Sequence, residues 1–182
     1  MTYDIVYADP PWRYDDKCLH RGGAERHYET KDVAGIAGLV DESLFSSDCA
    51  LFMWATFPKL AESLELFGLW GFTYKTCAFV WVKSNKREGY GQEKFGFAGI
   101  DDYIGMGRWT RSNAEICLLG TRGKPKRASC GVRQIVYHPV MEHSRKPSVV
   151  RDRIVELCGD LPRIELFARQ KAEGWDSWGN EI

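Results

Sequence analysis

The sequence contains no apolar run that approaches the roughly 18 residues needed to span a membrane. Its N-terminus also lacks a basic segment followed by a hydrophobic one, so we expect an unexported, cytoplasmic protein without membrane association. The six cysteines form no C-x-x-C pair, and several lie in apolar runs, where a thiol packs as a small hydrophobic group. The cysteine pattern therefore does not indicate a disulfide framework. The four histidines have no metal-ligand spacing with these cysteines, so we expect no bound metal.

A net charge is absent too, because 25 basic residues balance 25 acidic ones. The charges are unevenly distributed, however: residues 1–82 have 7 basic and 12 acidic side chains, residues 83–153 have 15 and 7, and residues 154–182 have 3 and 6. A basic middle segment suggests a surface that attracts the phosphates of a nucleic acid. From charge alone, a solvated loop region is the alternative.

The 182 residues, 44% of them hydrophobic, are expected to form a single domain, 1–182. Helices are predicted over about 58–72, which begins with a proline, and 146–159, which ends at a glycine. Alternating strands and helices predict an α/β fold with a mostly parallel sheet, helices on both faces, and ligands beyond the carboxyl ends of the strands. Apolar segments typical of buried strands occupy 3–8, 49–56, 78–83, 113–121 and 163–168.

Two segments, 13–32 and 84–112, are too long and irregular for ordinary connections. The first is expected to be a long mobile loop with a functional role. The second has aromatic residues interleaved with basic ones, which is typical of base stacking and phosphate contact, so we predict a target-recognition insertion. Candidate substrate contacts in and beside it are Lys83, Asn85, Arg108 and Trp109.

The sequence Asp9-Pro10-Pro11-Trp12 directly follows the first predicted strand. The residue types of this tetrapeptide suit one particular reaction, methylation of the exocyclic amine of adenine. That amine is a poor nucleophile, because its lone pair is delocalised into the ring. An aspartate carboxylate and the carbonyl of the following proline can both accept hydrogen bonds from such an amine, and a nearby aromatic ring can stack on an extruded base. Two prolines would hold these acceptors rigidly. The alternative interpretation is a structural turn.

Further segments accompany this tetrapeptide along the chain and resemble, in the same order, those of the seventy-kilodalton mRNA adenosine methyltransferase (MT-A70-like) family. The resemblance covers nearly the whole chain and is strongest to compact bacterial and phage members. It implies a permuted Rossmann-like class I methyltransferase fold, with the catalytic motif near the N-terminus and the cofactor strand near the C-terminus. The segments are YET at Tyr28, FMWAT at Phe52, LWGF at Leu69, FVWVKSN at Phe79, GRWTRSNAEICLLGTRGKP at Gly107, HSRKP at His143 and RIELFARQKAEGWDSWGNE at Arg163.

The same resemblance implies S-adenosyl-L-methionine as the cofactor and assigns roles to individual residues. Asp9 and Pro10 would receive the target amine, and Trp12 would pack against the base, completing a catalytic motif with Pro11. Tyr28 matches an aromatic residue of the loop that gates the substrate pocket, and Arg122 matches a basic residue that holds the methionine carboxylate. The other cofactor contacts would be Glu165, Leu166, Phe167, Arg169, Asn180 and Glu181.

The sequence departs from the pattern of larger family members, which have a further cofactor-binding segment before the catalytic strand, whereas eight residues precede Asp9 here. The leading hypothesis is a site-specific methyltransferase that acts on the N6 amine of adenine in nucleic acid, with DNA favoured as the substrate. Methylation of RNA and a non-catalytic nucleic-acid-binding partner are the alternatives. The intact Asp9-Pro10-Pro11-Trp12 argues against the non-catalytic alternative. The sequence leaves open the recognition site and whether the chain forms a dimer.

Overall fold

The apolar segments of the chain assemble into one sheet flanked by helices. The computed structural model of the protein describes residues 1–13, 30–85, 103–105, 107, 109–141, 145–179 and 182. Within these residues, the helices α1 to α3 are Val33–Ala37, Leu60–Leu69 and Val149–Cys158. The strands β1 to β7 are Tyr3–Ala8, Phe45–Ala55, Thr73–Ser84, Ala114–Arg122, Ile135–Pro139, Arg163–Leu166 and Asp176–Trp178.

The described strands form one sheet in the order β5-β3-β4-β2-β1-β6-β7. β1 pairs in parallel with β2 and β6, and the pairs β3–β5 and β6–β7 are parallel as well. Only β4 among these strands runs in the opposite direction, between β2 and β3. The prediction of a mostly parallel sheet is confirmed. The strand order also brings β6, near the end of the chain, beside β1, as expected for the permuted fold.

Helices cover both faces of the sheet, as predicted. Successive β1 side chains point to opposite faces. Val6 and Ala8 lie in the apolar cluster that includes residues of α1 and α2, whereas Ile5 and Tyr7 lie in the cluster that includes residues of α3. Because both faces of β1 are buried from Ile5 to Ala8, this part of its sequence is a continuous apolar run rather than an alternating one. The Rossmann-like methyltransferase architecture is therefore confirmed.

The predicted and observed elements differ mainly at their ends. β1 has the predicted bounds, β2 and β3 begin earlier than predicted, and α2 is shorter because a turn of 3-10 helix, Phe57–Lys59, precedes it. α1, β5 and β7 were not predicted, because three to five residues are too few to show a period. No helix among the described residues is long and apolar enough to cross a membrane.

Two sequence predictions concern residues that the structure largely leaves undescribed. Residues 14–29, within the predicted loop, and residues 86–102, 106 and 108, within the predicted insertion, lie outside the described ranges. The insertion at about 84–112 and the single-domain organisation therefore remain predictions.

Candidate active site

The predicted catalytic motif, Asp9-Pro10-Pro11-Trp12, lies at the carboxyl end of β1, inside the sheet rather than at its edge strands. Pro10 and Pro11 cannot extend the strand, since they lack a backbone N–H, so the chain leaves the sheet directly after Asp9. Ala8, the last residue of β1, is in register with Met53 on β2 and with Leu166 on β6. The fold thus places the motif beside the end of the predicted cofactor strand, as Rossmann-like sheets place their ligands.

Hydrogen bonds fix the shape of the motif. The backbone N–H of Trp12 donates to the Pro10 carbonyl at 2.9 Å, and its indole Nε1 donates to the Trp54 carbonyl at 3.3 Å. A carbonyl oxygen can accept two hydrogen bonds, so Pro10 retains capacity for one more donor. Trp12 itself is only 5% exposed and belongs to the core. The structure thus shows that Trp12 anchors the motif, and its packing against a base remains a prediction.

Both ends of the predicted gating loop are held beside the motif. The N–H of Lys31 donates to the Pro11 carbonyl at 3.0 Å, and the N–H of Arg13 donates to the Lys31 carbonyl at 3.1 Å. Trp12 and Lys31 form an isolated parallel bridge. The segment between them therefore starts and ends at the motif. Tyr28, the predicted gating residue, lies outside the described residues.

A row of alternating charges runs along this edge of the sheet. Lys146 Nζ lies 2.7 Å from Asp9 Oδ2 and 3.5 Å from Glu115 Oε2, and Lys83 Nζ lies 2.6 Å from Glu115 Oε1. Burial would raise the pKa of Glu115, but the charges and hydrogen bonds of Lys146 and Lys83 outweigh it and hold that pKa below its ordinary value. These ion pairs connect the predicted substrate contact Lys83 to the predicted catalytic Asp9.

Glu115 and Lys146 were missed as site residues by sequence reasoning. The pair Arg145-Lys146 suggested only a phosphate contact or a solvated start of a helix, yet the Lys146 side chain is 12% exposed and lies between two carboxylates. One signal was available: Glu115 lies in the otherwise apolar β4 sequence AEICLLG. A charged residue in a buried strand needs a partner of opposite charge.

The turn after β6 has a strained conformation and lies among aromatic rings. Phe167 has a φ of 60°, the left-handed region that non-glycine residues rarely occupy. Its ring stacks on Trp70 at 6.4 Å and meets the edge of Trp178 at 5.4 Å. Gly179 packs so closely here that a Cβ would lie 2.2 Å from the Ala168 carbonyl oxygen. Backbone strain of this kind is concentrated at functional sites.

The remaining predicted cofactor residues differ in their surroundings. Leu166 is fully buried in the core, and Arg169 is half-buried beyond the strand end. Glu165 is buried on the α3 side of the sheet, where it pairs with Arg151. Asn180 and Glu181 lie outside the described residues.

The predicted substrate contacts near the insertion are only partly described. Asn85 is exposed directly after β3, and Trp109 is 95% exposed. Arg108 lies outside the described residues. No group of three or more His, Cys, Asp or Glu side chains in the described part of the chain is arranged to hold a metal ion.

The structure does not bring Arg122 to this edge. Because β4 is antiparallel, its last residue, Arg122, lies beside Cys49 in β2, whereas Trp54, near the end of β2, pairs with Cys117. Arg122 follows Cys117 by five positions in β4, a distance of about 17 Å at ~3.4 Å per residue. Arg122 instead contacts Glu42 and the Trp70 carbonyl, each at 2.7 Å. We therefore leave Arg122 out of the proposed cofactor site.

A mostly parallel sheet that carries Asp-Pro-Pro-Trp at the end of a central strand defines the protein as a Rossmann-like methyltransferase. A family model described as MT-A70 matches residues 3–181. The chain belongs to the MT-A70 family.

The chain covers very different shares of its individual relatives. The chain is 35% identical over 199 residues to the Type II methyltransferase M.MunI of Mycoplasma sp, covering 99% of this chain and 78% of that protein. It is 26% identical to the N(6)-adenosine-methyltransferase MT-A70-like protein of Arabidopsis thaliana, covering all of this chain and 24% of that protein. The human N(6)-adenosine-methyltransferase catalytic subunit METTL3 is also 26% identical, with 99% and 28% covered. The chain thus spans about a quarter of the plant and human proteins.

Proposed function

We propose that this protein transfers a methyl group from S-adenosyl-L-methionine to the N6 amine of adenine in DNA. The observation that carries the proposal is the placement of Asp9 and Pro10 at the carboxyl end of β1, next to the end of β6. The relative with the higher identity and coverage is a Type II methyltransferase, which favours DNA, and the names of the 26% identical relatives specify the adenosine N6 position.

The residues at the end of β6 suit this cofactor. A purine nucleoside needs flat apolar contacts and backbone hydrogen-bonding groups, and the turn at Phe167 offers an aromatic ring beside Trp178 together with a closely approaching backbone at Gly179. We expect Phe167 and Arg169, with Asn180 and Glu181 by family resemblance, to hold the cofactor. When bound, the cofactor supplies an electrophilic methyl group on a sulfonium.

The chain's own residues orient the amine. Asp9 accepts one amine hydrogen at its carboxylate, and Pro10 accepts the other at the carbonyl that the Trp12 N–H already aligns. These two acceptors turn the nitrogen lone pair away from the purine ring and toward the cofactor. Lys146, which contacts Asp9 Oδ2, keeps that carboxylate in place. Trp109 and Lys83 would contact the nucleic acid around the target base.

The proposal is tested by incubating the purified protein with methyl-labelled S-adenosyl-L-methionine and equal amounts of unmethylated double-stranded DNA, single-stranded DNA and RNA. Nucleoside mass spectrometry should then find labelled N6-methyladenine in DNA, and none with Asp9→Ala. Label in RNA alone would contradict the proposal that DNA is the substrate. The absence of label in every nucleic acid would favour a non-catalytic nucleic-acid-binding protein.

A further inference from the structure

Arg151 and Glu165 form a buried ion pair that the proposed chemistry does not use. Arg151 Nε and Nη2 lie 2.6 Å and 2.8 Å from the two carboxylate oxygens of Glu165, so the contact is bidentate. Both residues are less than a tenth exposed. Burial and the hydrogen bonds and charge of Glu165 act in opposite directions on the pKa of Arg151, and the net effect raises it. The bidentate contact fixes the geometry of the pair.

The pair connects the predicted cofactor strand to the segment that supplies Lys146. Glu165 lies in β6, and Arg151 lies in the first turn of α3. Just before that helix, Pro147 accepts a hydrogen bond from the Val150 N–H at 3.1 Å. Lys146, the residue before Pro147, is thus attached to a helix start whose position Glu165 fixes.

A second set of contacts extends from the pair to the catalytic motif. The Arg151 guanidinium lies over the Tyr7 ring, 5.7 Å from its centre, and Tyr7 Oη accepts a hydrogen bond from Trp54 Nε1 at 2.5 Å. Trp54 in turn contacts Trp12 and Lys146. Its carbonyl accepts a hydrogen bond from Trp12 Nε1, and the centre of its ring lies 5.6 Å from Lys146 Nζ. The contacts from Arg151 thus reach the catalytic motif through two routes.

We propose that Arg151 and Glu165 are positioning residues that fix the start of α3 against β6 and so hold Lys146 on Asp9. This rests on the proposed function only in that Asp9 receives the amine. It gives Glu165 a role through Arg151 instead of a contact with the cofactor. Lys146 would move away from Asp9 when the pair is removed, even if the protein stays folded.

The test uses Arg151→Met/Glu165→Leu, because removing both charges leaves no unpaired buried ion and usually preserves folding. Lys146 should react faster with an acetylating reagent in this variant, as measured by peptide mass spectrometry, with the exposed Lys124 as internal reference. Turnover at saturating cofactor and DNA should fall about tenfold or more, since small misplacements of catalytic groups have large effects. Cofactor affinity should change much less. Arg151→Lys, which retains the charge, should restore part of the turnover.

Glu62→Gln removes the surface pair with Lys59 and is the matched control, expected to leave Lys146 labelling and turnover unchanged. A folded double variant with Lys146 labelling like that of the unmutated protein overturns the proposal. A loss of cofactor affinity with unchanged turnover at saturation also overturns it and returns Glu165 to the cofactor site. If the unmutated protein methylates nothing, the proposed function fails, and the labelling result alone still decides the role of the pair.

Discussion

Lys146 and Asp9 are 137 residues apart in the sequence and 2.7 Å apart in the structure. Lys146 is brought there by the start of α3, and Asp9 by the end of β1. The contact places a cation on the carboxylate that we propose accepts the target amine. Asp9 should therefore be needed for turnover more than for binding of the cofactor.

We expect Asp9→Ala to lower turnover by about 10²-fold or more, because it removes a contact that orients the amine in the transition state. Cofactor affinity, measured by calorimetry, should change far less. Asp160→Ala is a suitable control, since Asp160 is an exposed carboxylate paired with Arg163. Near-normal turnover in a folded Asp9→Ala protein would contradict the assignment of Asp9.

Arg122 should contribute to stability rather than to cofactor binding. Arg122→Met loses the contacts to Glu42 and the Trp70 carbonyl, and we expect the free energy of unfolding to fall by about 1–3 kcal/mol. The increase in melting temperature caused by S-adenosyl-L-methionine should be retained. Glu42→Gln, which removes only the exposed partner, should have a smaller effect on stability. Loss of the cofactor-induced increase in Arg122→Met would return Arg122 to the cofactor site.

Glu115 should make stability depend on pH in acid. Its folded-state pKa is below the ordinary value of 4.5, so ionised Glu115 stabilises the protein above that value, and this contribution is lost as the pH falls through the lower folded pKa. Glu115→Gln should therefore reduce the free energy of unfolding by about 1–3 kcal/mol at neutral pH. The difference from the unmutated protein, measured by urea unfolding, should shrink in acid. A difference that is independent of pH would show that the charge of Glu115 is not responsible.

At position 167, the glycine variant should be more stable than the alanine variant, which is the reverse of the usual order of stability. Because its φ is 60°, glycine fits this position without strain, and Phe167→Gly should be more stable than Phe167→Ala by about 1 kcal/mol. At Glu65, an exposed position inside α2, Glu65→Ala should instead be more stable than Glu65→Gly by about 1 kcal/mol. Equal stabilities of the two Phe167 variants in urea unfolding would mean that the turn relaxes.

Trp109 should affect nucleic-acid binding through stacking. Its ring is 95% exposed, and Trp109→Ala should weaken binding by about 1–3 kcal/mol if a base stacks on it. The effect should raise the Michaelis constant for DNA without changing its salt dependence, because no charge is lost. Tyr74→Ala is the aromatic control, since Tyr74 lies at the opposite end of β3 from Lys83. Equal Michaelis constants for the two variants would move base recognition away from Trp109.

Local patterns in the sequence predicted the parts of the fold that depend on local chemistry. The run Tyr3–Ala8 is apolar except for Asp4 and is followed, after Asp9, by two prolines, so both its strand conformation and its end could be predicted. The direction of β4 could not be predicted, because it depends on which strands lie beside it. That direction separates Arg122 from Asp9 and brings Glu115 to Lys146. The motif could be found by its residue types, but its charged neighbours come from distant segments.

The antiparallel direction of β4 has a further consequence for how this protein could change its target. β3 ends at Ser84 and β4 begins at Ala114 at the same edge of the sheet as Asp9, so the segment between them leaves and re-enters the sheet at that edge. Exchanging residues 85–113 for the corresponding segment of a relative would leave the register of Ala8 with Leu166 and the ends of both strands intact. If the predicted insertion at about 84–112 recognises the target, sequence preference can diversify during evolution by replacement of this one segment, while the residues proposed to carry the methyl transfer are inherited unchanged.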